Sequence, residues 1–198
     1  GAFMEPGYDD SAWENAVLIG KPGELPFGAL YRAMTNPIKF DGITDYANSA
    51  DYVGRELTED TTLELILPGN VQFTPYFALE APAGKRLTIY TDSYVDSDNN
   101  PNFKDTYVTA EGSQQFENYA WRSGSKLYIE AEAGVKFTAL GYRKSEFNGE
   151  WVGAFSSENE ELNQLWQESL NTVAICMRDT YMDCPERERG PYMGDASN

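Results

Sequence analysis

Short apolar-rich runs separated by turn residues occupy the middle of the chain. The runs are residues 63–67, 73–79, 87–90, 106–109, 127–131 and 135–142, and the turns between them lie at 68–70, 82–84, 111–113, 123–124 and 133–134. Strand-length runs at a spacing of roughly 8–12 residues predict an antiparallel β-sandwich. Apolar and polar residues alternate within 126–130 and 135–139, so each strand should have one buried and one solvent-facing side.

The first 62 residues have a weaker pattern. A turn-like opening at Tyr8, Asp9, Asp10, Ser11 and Trp13 is followed by a segment rich in Pro and Gly at 20–28. Residues 31–34 and 38–40 are apolar enough to be short strands of the same sandwich. We therefore predict a mainly β accessory domain over residues 1–150.

The pattern changes to a helical one near Trp151. Ser157 and Glu160 have the spacing of a capping box, which satisfies two free amides at a helix start. Apolar and small residues then recur at helical spacing. These are Leu162, Leu165, Trp166, Ser169, Val173 and Cys176. We predict a helix over 158–177 whose apolar stripe packs in a core and whose Trp166 is an anchor, within a second, helical domain at 151–198.

Composition excludes several function classes. The 198 residues carry a formal net charge of −17, with 32 Asp and Glu against 15 Lys and Arg. Such a chain is not expected to bind nucleic acid or an anionic membrane surface, since both interactions depend on clustered Lys and Arg. No apolar run approaches the ~20 residues of a spanning helix.

The absence of histidine and the small number of cysteines exclude further kinds of functional site. The chain has no histidine, so Ser-His-Asp and Cys-His nucleophile systems cannot be built within it, and zinc would lack its usual imidazole ligand. Two cysteines do not make a disulfide framework. The N-terminal residues lack a signal-peptide pattern, so the location stays open, with the periplasm or the extracellular space as candidates.

A dense charged motif follows the predicted helix. Residues 183–195 read Asp-Cys-Pro-Glu-Arg-Glu-Arg-Gly-Pro-Tyr-Met-Gly-Asp. Carboxylates can hydrogen-bond hydroxyls, donate a proton or activate water, according to their surroundings. Two simpler interpretations stay open: a solvated charge run with weak ion pairs, or Asp183 as the cap of a further helix with Pro in its first turn.

This motif resembles the one in bacterial α-L-rhamnosidases of glycoside hydrolase family 78, approximately Asp-Cys-Pro-Gln-Arg-(Asp/Glu)-Arg-Leu-Gly-Trp-Thr-Gly-Asp. The resemblance covers roughly residues 70–198 and is weaker before that. The motif positions that match in register are Asp183, Cys184, Pro185, Arg187, Glu188, Arg189, Gly194 and Asp195. The upstream positions that match are Gly153, Phe155, Ser157, Asn159, Leu162, Asn163, Leu165 and Trp166.

The resemblance implies a specific fold and activity. The sandwich would lead through a linker into the first helix of a six-hairpin α/α toroid, the catalytic domain that releases terminal α-L-rhamnose with inversion. Glu188 would be the general acid, Asp183 and Asp195 would hold sugar hydroxyls, and Arg187 and Tyr192 would border the sugar. The general base comes from a later hairpin in this family, so the chain would be an inert fragment of a glycosidase that needs no metal or other cofactor.

Several positions depart from the family motif. Glu186 replaces Gln, Gly190 and Pro191 replace Leu-Gly, Tyr192 stands where Trp is common, and Met193 replaces Thr. The resemblance implies a rhamnose-containing glycoside or polysaccharide as the substrate, and these departures leave a related deoxy sugar open. In addition, Glu188 lies between Arg187 and Arg189, and nearby cations favour a charged carboxylate, whereas a general acid must be protonated.

Two other hypotheses remain. The chain could be a non-catalytic carbohydrate-binding or structural sandwich, with exposed rings as sugar platforms, although rings in a sheet are more typical of core and cross-strand pairs. The aromatic residues concerned are Tyr90, Tyr94, Tyr119, Trp121 and Tyr128. Calcium could bind near Asp92, Asp96, Asp98, Asn99 and Asn100, but this run lacks the Gly and terminal Glu of an EF-hand loop.

Overall fold

The computed structural model describes residues 7–21, 23–24, 36–192 and 194. Backbone contacts divide the chain into two units, residues 1–34 and 35–198. In the first unit the Trp13 amide donates to the Asp10 carbonyl at 2.8 Å, which confirms the predicted opening turn. The predicted strand at 31–34 lies outside the described residues.

The second unit is mainly antiparallel β-sheet, as predicted, with one α-helix among its described residues. Its strands are β1 (Ile38–Asp45), β2 (Thr61–Ala81), β3 (Arg86–Thr91), β4 (Asp105–Val108), β5 (Gly112–Glu117), β6 (Arg122–Ala131) and β7 (Lys136–Phe147). A short 3₁₀ helix (Ser49–Asp51) follows β1, and α1 (Glu160–Ile175) follows β7. The strand order is β1-β7-β2-β6-β3-β4, and β5 pairs with β2.

Strand β2 is a single 21-residue element, so the predicted turn at 68–70 is wrong. Ile66 pairs with Lys126 and Val71 pairs with Gly124, both on β6. The chain therefore continues in one direction past Pro68 and Gly69, and the extra residues are absorbed as a bulge. Beyond the bulge, β2 pairs with β7 and with β5.

Other strands also differ from the sequence-based prediction. Strand β5 was not predicted because its residues Ser113, Gln114 and Gln115 are polar; their backbone groups pair with β2. Strand β6 begins at Arg122 and includes the predicted turn residues Ser123 and Gly124. Pairing with neighbouring strands extends β1 and β7 beyond their apolar runs.

Alternating side chains of the sheet form one hydrophobic core. Its members include Leu63 and Leu65 of β2, Leu87 and Ile89 of β3, Leu127 and Ile129 of β6, and Phe137 and Leu140 of β7. Phe77 of β2 is fully buried and contacts Tyr107 of β4, with ring centroids 5.1 Å apart. Both rings also contact Phe116 of β5, which pairs with Phe77 in the sheet.

Helix α1 begins two residues later than predicted. The N-cap is Asn159, whose side chain accepts the Glu161 amide at 2.9 Å, so the predicted Ser157–Glu160 capping box is wrong. The Ser157 hydroxyl instead accepts the Asn159 amide at 3.2 Å. Asn is at least as good an N-cap as Ser, since its carboxamide oxygen can reach the same free amides.

The two ends of α1 have different surroundings. At the C-terminal end, Ile175 is buried and its carbonyl accepts a hydrogen bond from the buried Gln72 side chain of β2. Nearer the start, Trp166 contacts Phe155 with ring centroids 5.7 Å apart. The apolar stripe was predicted to pack in a core, but Leu162 and Leu165 are exposed within the described part of the chain.

Candidate active-site loop

The charged motif forms an irregular loop after α1. We call residues 183–192 the acidic loop; none of them is helical, so the interpretation of Asp183 as the cap of a further helix is wrong. The Asp183 amide donates to the Gly190 carbonyl at 3.1 Å, and the Gly190 amide donates to Asp183 Oδ1 at 3.0 Å. These two bonds close the loop at its base.

Glu188, Arg187 and Tyr192 lie together on the solvent side of the loop. Arg187 Nη2 is 2.7 Å from Glu188 Oε1, and 38% of the Glu188 side chain and 63% of the Arg187 side chain are exposed. A hydrogen bond from the Tyr192 hydroxyl to the Glu188 carboxylate raises the pKa of Tyr192, with smaller effects of nearby charges. Three of the five predicted site residues are therefore in direct contact.

The Asp183 carboxylate is near this group but has its own partners. Hydrogen bonds, first from the Cys184 thiol and then from the backbone amides of Gly190 and Cys184, lower the pKa of Asp183. Its charge also contributes to the raised pKa of Tyr192. Asp195, the remaining predicted site residue, lies outside the described residues.

The two arginines that flank Glu188 have different partners. Arg187 forms the ion pair with Glu188. Arg189 instead lies over the indole ring of Trp121, donates from Nε to the Pro185 carbonyl at 2.9 Å, and adopts a left-handed φ of 54°. Glu188 thus has one direct cationic partner where the sequence suggested two.

Glu186 connects the acidic loop to the sheet, and the sequence analysis did not assign it a role. Its Oε1 accepts hydrogen bonds from the Ser123 hydroxyl and, at 3.2 Å, from the Ser123 amide at the start of β6. The Ser93 hydroxyl oxygen lies 2.9 Å from the same Oε1 atom. In the sequence, Glu186 stands out only because it departs from the family motif. Its partners Ser123 and Ser93 are about 60 and 90 positions away, so no local pattern indicates them.

Trp121 links the acidic loop to the end of α1. The guanidinium carbons of Arg178 and Arg189 lie 4.6 and 3.7 Å from its ring centroid. Arg178 also donates to the Gln72 side-chain oxygen at 2.5 Å and to the Ser145 hydroxyl at 3.2 Å. Burial lowers the pKa of both arginines. Because this ring binds two cations, its face is not a free sugar platform in this arrangement.

Two of the three carboxylates in the calcium hypothesis, Asp92 and Asp96, bind backbone amides. Asp92 Oδ1 accepts the Ser125 and Lys126 amides, and Asp96 Oδ1 accepts the Asp98 and Asn100 amides. The described residues hold no group of three or more Cys, Asp or Glu placed to bind a metal ion. Cys176 and Cys184 are free thiols.

No helix in the described ranges is both long enough and apolar enough to cross a membrane.

Comparison with known proteins identifies the class of this loop. Residues 150–198 match the family model of the bacterial alpha-L-rhamnosidase six-hairpin glycosidase domain. A comparison with curated proteins found no match. The segment that carries the acidic loop is therefore similar to part of a glycosidase domain.

Solved structures extend the similarity into the sheet. A family 78 rhamnosidase of Bacillus sp. GL1 is 26% identical, with 65% of this chain and 14% of that chain covered and a TM-score of 0.57. The α-L-rhamnosidase of Dictyoglumus thermophilum is 23% identical over 96% of this chain and 22% of its own length, with a TM-score of 0.70. A Klebsiella oxytoca rhamnosidase with rhamnose bound shares 13% identity over 77% of this chain and 36% of its own, with a TM-score of 0.62.

The predicted resemblance is thus confirmed: the chain is related to the bacterial α-L-rhamnosidases of glycoside hydrolase family 78. It spans between 14% and 36% of the length of these three solved relatives.

Proposed function

We propose that the chain is part of a glycoside hydrolase that releases terminal α-L-rhamnose from a glycoside or polysaccharide by inversion. The observation that carries the proposal is the contact of Glu188 with Arg187 and Tyr192 on the exposed side of a loop within the matched segment. An exposed carboxylate beside a phenol and a guanidinium can reach the polar groups of a sugar.

Glu188 is the proposed general acid, and it protonates the oxygen of the leaving group. Asp183, Arg187 and Tyr192 are the proposed sugar-binding side chains, with Asp195 as a further one. Asp183 suits hydroxyl recognition because its lowered pKa keeps it an ionised acceptor. Inversion needs a second carboxylate, roughly 6.5–9.5 Å from the acid, to activate water. We assign that base to another segment of the whole enzyme, so residues 1–198 alone should be inactive.

The proposed architecture has two domains. Residues 1–150 form a β-sandwich accessory domain, which the single hydrophobic core shared by β2, β3, β6 and β7 supports. Residues 151–198 begin an α/α toroid, with α1 as its first helix. The exposed Leu162 and Leu165 of α1 support this, since a first helix needs neighbours to cover its apolar stripe.

The decisive experiment measures turnover by a whole enzyme that contains this sequence. Glu188→Gln should lower kcat by about 10²–10⁴-fold on a natural rhamnoside, the usual contribution of general acid catalysis. The loss should be much smaller on a rhamnoside with a good chromogenic leaving group, which needs no protonation. Glu132→Gln, a surface change at the opposite end of β6, is the control. Equal activity of Glu188→Gln and the parent on the natural substrate would refute the acid role.

A carbohydrate-binding module is the second candidate function, and a surface cleft of about 450 Å³ favours it. The rings of Phe40 and Tyr119, 57% and 90% exposed, line the cleft beside the ion pair of Arg143 and Glu117. Saturable binding of rhamnosides to residues 1–198 without turnover, abolished by Tyr119→Ala, would support this function. Unchanged binding in Tyr119→Ala would exclude this cleft.

A further inference from the structure

The backbone on both sides of Glu188 is fixed to the same short segment of the sheet. Two residues before Glu188, the Glu186 carboxylate binds Ser123 and Ser93. One residue after it, the Arg189 guanidinium lies over Trp121 and donates to the Trp121 carbonyl at 3.3 Å. Trp121 and Ser123 are separated by one residue, so the attachments on the two sides of Glu188 converge at the start of β6.

The attachment at Glu186 uses donors with little freedom to move. The Ser123 side chain is fully buried, and its hydroxyl and amide both reach Oε1 of Glu186. The Ser93 hydroxyl has a single proton and two acceptors within reach. Glu186 Oε1 lies 2.9 Å from the hydroxyl oxygen, and the Ser123 carbonyl oxygen lies 2.5 Å from it. The hydroxyl groups and the Ser123 amide can donate to Glu186, and a carboxylate oxygen is suited to the position because it accepts.

The attachment at Arg189 fixes the backbone direction. A non-glycine residue with φ near +54° is uncommon, and it persists where surrounding contacts hold it. Here those contacts are the Trp121 ring, the Trp121 carbonyl and the Pro185 carbonyl. By contrast, Arg187 and Glu188 contact each other on the exposed side of the loop.

We propose that Glu186 and Arg189 are positioning residues that hold the general acid Glu188 at a fixed distance from the sheet. This inference rests on the proposed function of Glu188. The role follows from proton transfer, because an acid must lie within hydrogen-bond reach of the leaving oxygen. A displacement of about 1 Å can cost about a hundredfold in rate.

The test compares two substrates in a whole enzyme that contains this sequence. In Glu186→Ala, kcat should fall about a hundredfold on a natural or alkyl rhamnoside and much less on a chromogenic one, while KM changes little. Glu186→Gln keeps an acceptor oxygen and should recover most of the loss. Glu132→Gln is the control, since that carboxylate also accepts a backbone amide, that of Arg86, but at the other end of β6.

A purely structural role predicts a different result. General loosening of the fold would lower kcat equally on both substrates, and that result, or an unchanged kcat, would overturn the proposal. If Glu186→Ala does not fold by circular dichroism, the Ser93→Ala, Ser123→Ala double variant replaces it. That variant keeps Glu186 and the Ser123 amide but removes both hydroxyls, and it should show the same dependence on the leaving group.

Parallel measurement of Glu188→Gln separates this inference from the proposed function. If Glu188→Gln loses activity only on the poor leaving group but Glu186→Ala does not, the positioning role is wrong and the acid role stands. If Glu188→Gln is fully active, the acid role is wrong and the positioning role is overturned with it.

Discussion

The guanidinium of Arg189 lies over the indole ring of Trp121, with its central carbon 3.7 Å from the ring centroid. This contact joins a loop near the C-terminal end of the described chain to the residue just before β6. Arg189 is partly buried, and this burial lowers its pKa. A cation–π contact is worth more under those conditions than at an open surface.

We predict that Trp121 and Arg189 stabilise the chain cooperatively. In a double-mutant cycle with Trp121→Leu and Arg189→Met, the coupling in the free energy of unfolding should be about 1–2 kcal/mol. Urea unfolding of residues 1–198 measures it. A coupling below about 0.3 kcal/mol, within the scatter of independent sites, would mean that the contact contributes nothing.

Gly124 should not tolerate a larger side chain. A Cβ atom there would lie 2.7 Å from Asp92 Oδ1 and 3.0 Å from Thr91 Cβ. Asp92 Oδ1 cannot move freely because it accepts the Ser125 and Lys126 amides at 2.9 and 3.0 Å. Gly124→Ala should therefore lower the free energy of unfolding by about 1–3 kcal/mol, as overpacking does.

Gly69→Ala is the matched control for this substitution. Gly69 also lies in a strand, but a Cβ atom there would have no neighbour within 4 Å. Its cost in urea unfolding should be well below that of Gly124→Ala. Equal costs would show that the close approach at Asp92 is unimportant.

Removing the hydroxyl of Tyr46 should stabilise the protein. The ring is buried against Tyr142, and the hydroxyl oxygen has no hydrogen-bond partner. A buried hydroxyl without a partner costs about 1–3 kcal/mol, so Tyr46→Phe should raise the free energy of unfolding by about 1 kcal/mol or more. Tyr107→Phe is the contrasting control, because the Tyr107 hydroxyl donates to Gln114 at 2.9 Å and its loss should destabilise. A lower melting temperature for Tyr46→Phe would contradict this.

Alkaline pH should unfold the protein over a defined range. Burial raises the pKa of Tyr46, Tyr107 and Tyr128, and burial with a hydrogen bond to Glu130 raises that of Tyr90 to about 12. The unfolded chain loses these protons near the ordinary value of 10.0, while the folded chain retains them. Stability should therefore be constant below about pH 10 and fall between pH 10 and 12.

Melting temperatures measured across this range test the alkaline prediction. Tyr90→Phe removes one of the tyrosines with a raised pKa, so its stability should fall less steeply with pH than that of the parent. Identical slopes for Tyr90→Phe and the parent would show that Tyr90 does not contribute.

The sequence predicted the features that depend on neighbouring residues. Alternating apolar positions located the cores of β3, β6 and β7, and helical spacing located α1. Pairing with distant strands determined the rest: Pro68 and Gly69 lie within a strand because β6 pairs on both sides of them. Polar strand β5 has no apolar signal and forms because its backbone pairs with β2.

In the candidate site, too, the features that depend on neighbouring residues were predictable and those that depend on distant residues were not. The motif pattern predicts Asp183, Arg187, Glu188 and Tyr192, which are close in sequence, as site residues. The partners of Glu186 and Arg189 were not identifiable, because Ser93, Trp121 and Ser123 are 63 to 93 residues away and carry no pattern of their own. Only the folded chain shows that Arg187 and Arg189 have separate partners.

The contacts of Glu186 and Arg189 also cross the proposed domain boundary at residue 150. Glu186 and Arg189 follow this boundary in the chain. The side chains that bind them precede it: Ser93, Ser123 and Trp121. If residues 1–150 and 151–198 are the two proposed domains, they are therefore not interchangeable modules. A chimaera that takes its sheet from one relative and its acidic loop from another would need matching residues at both partners of each contact, that of Glu186 with the serines and that of Arg189 with the indole ring.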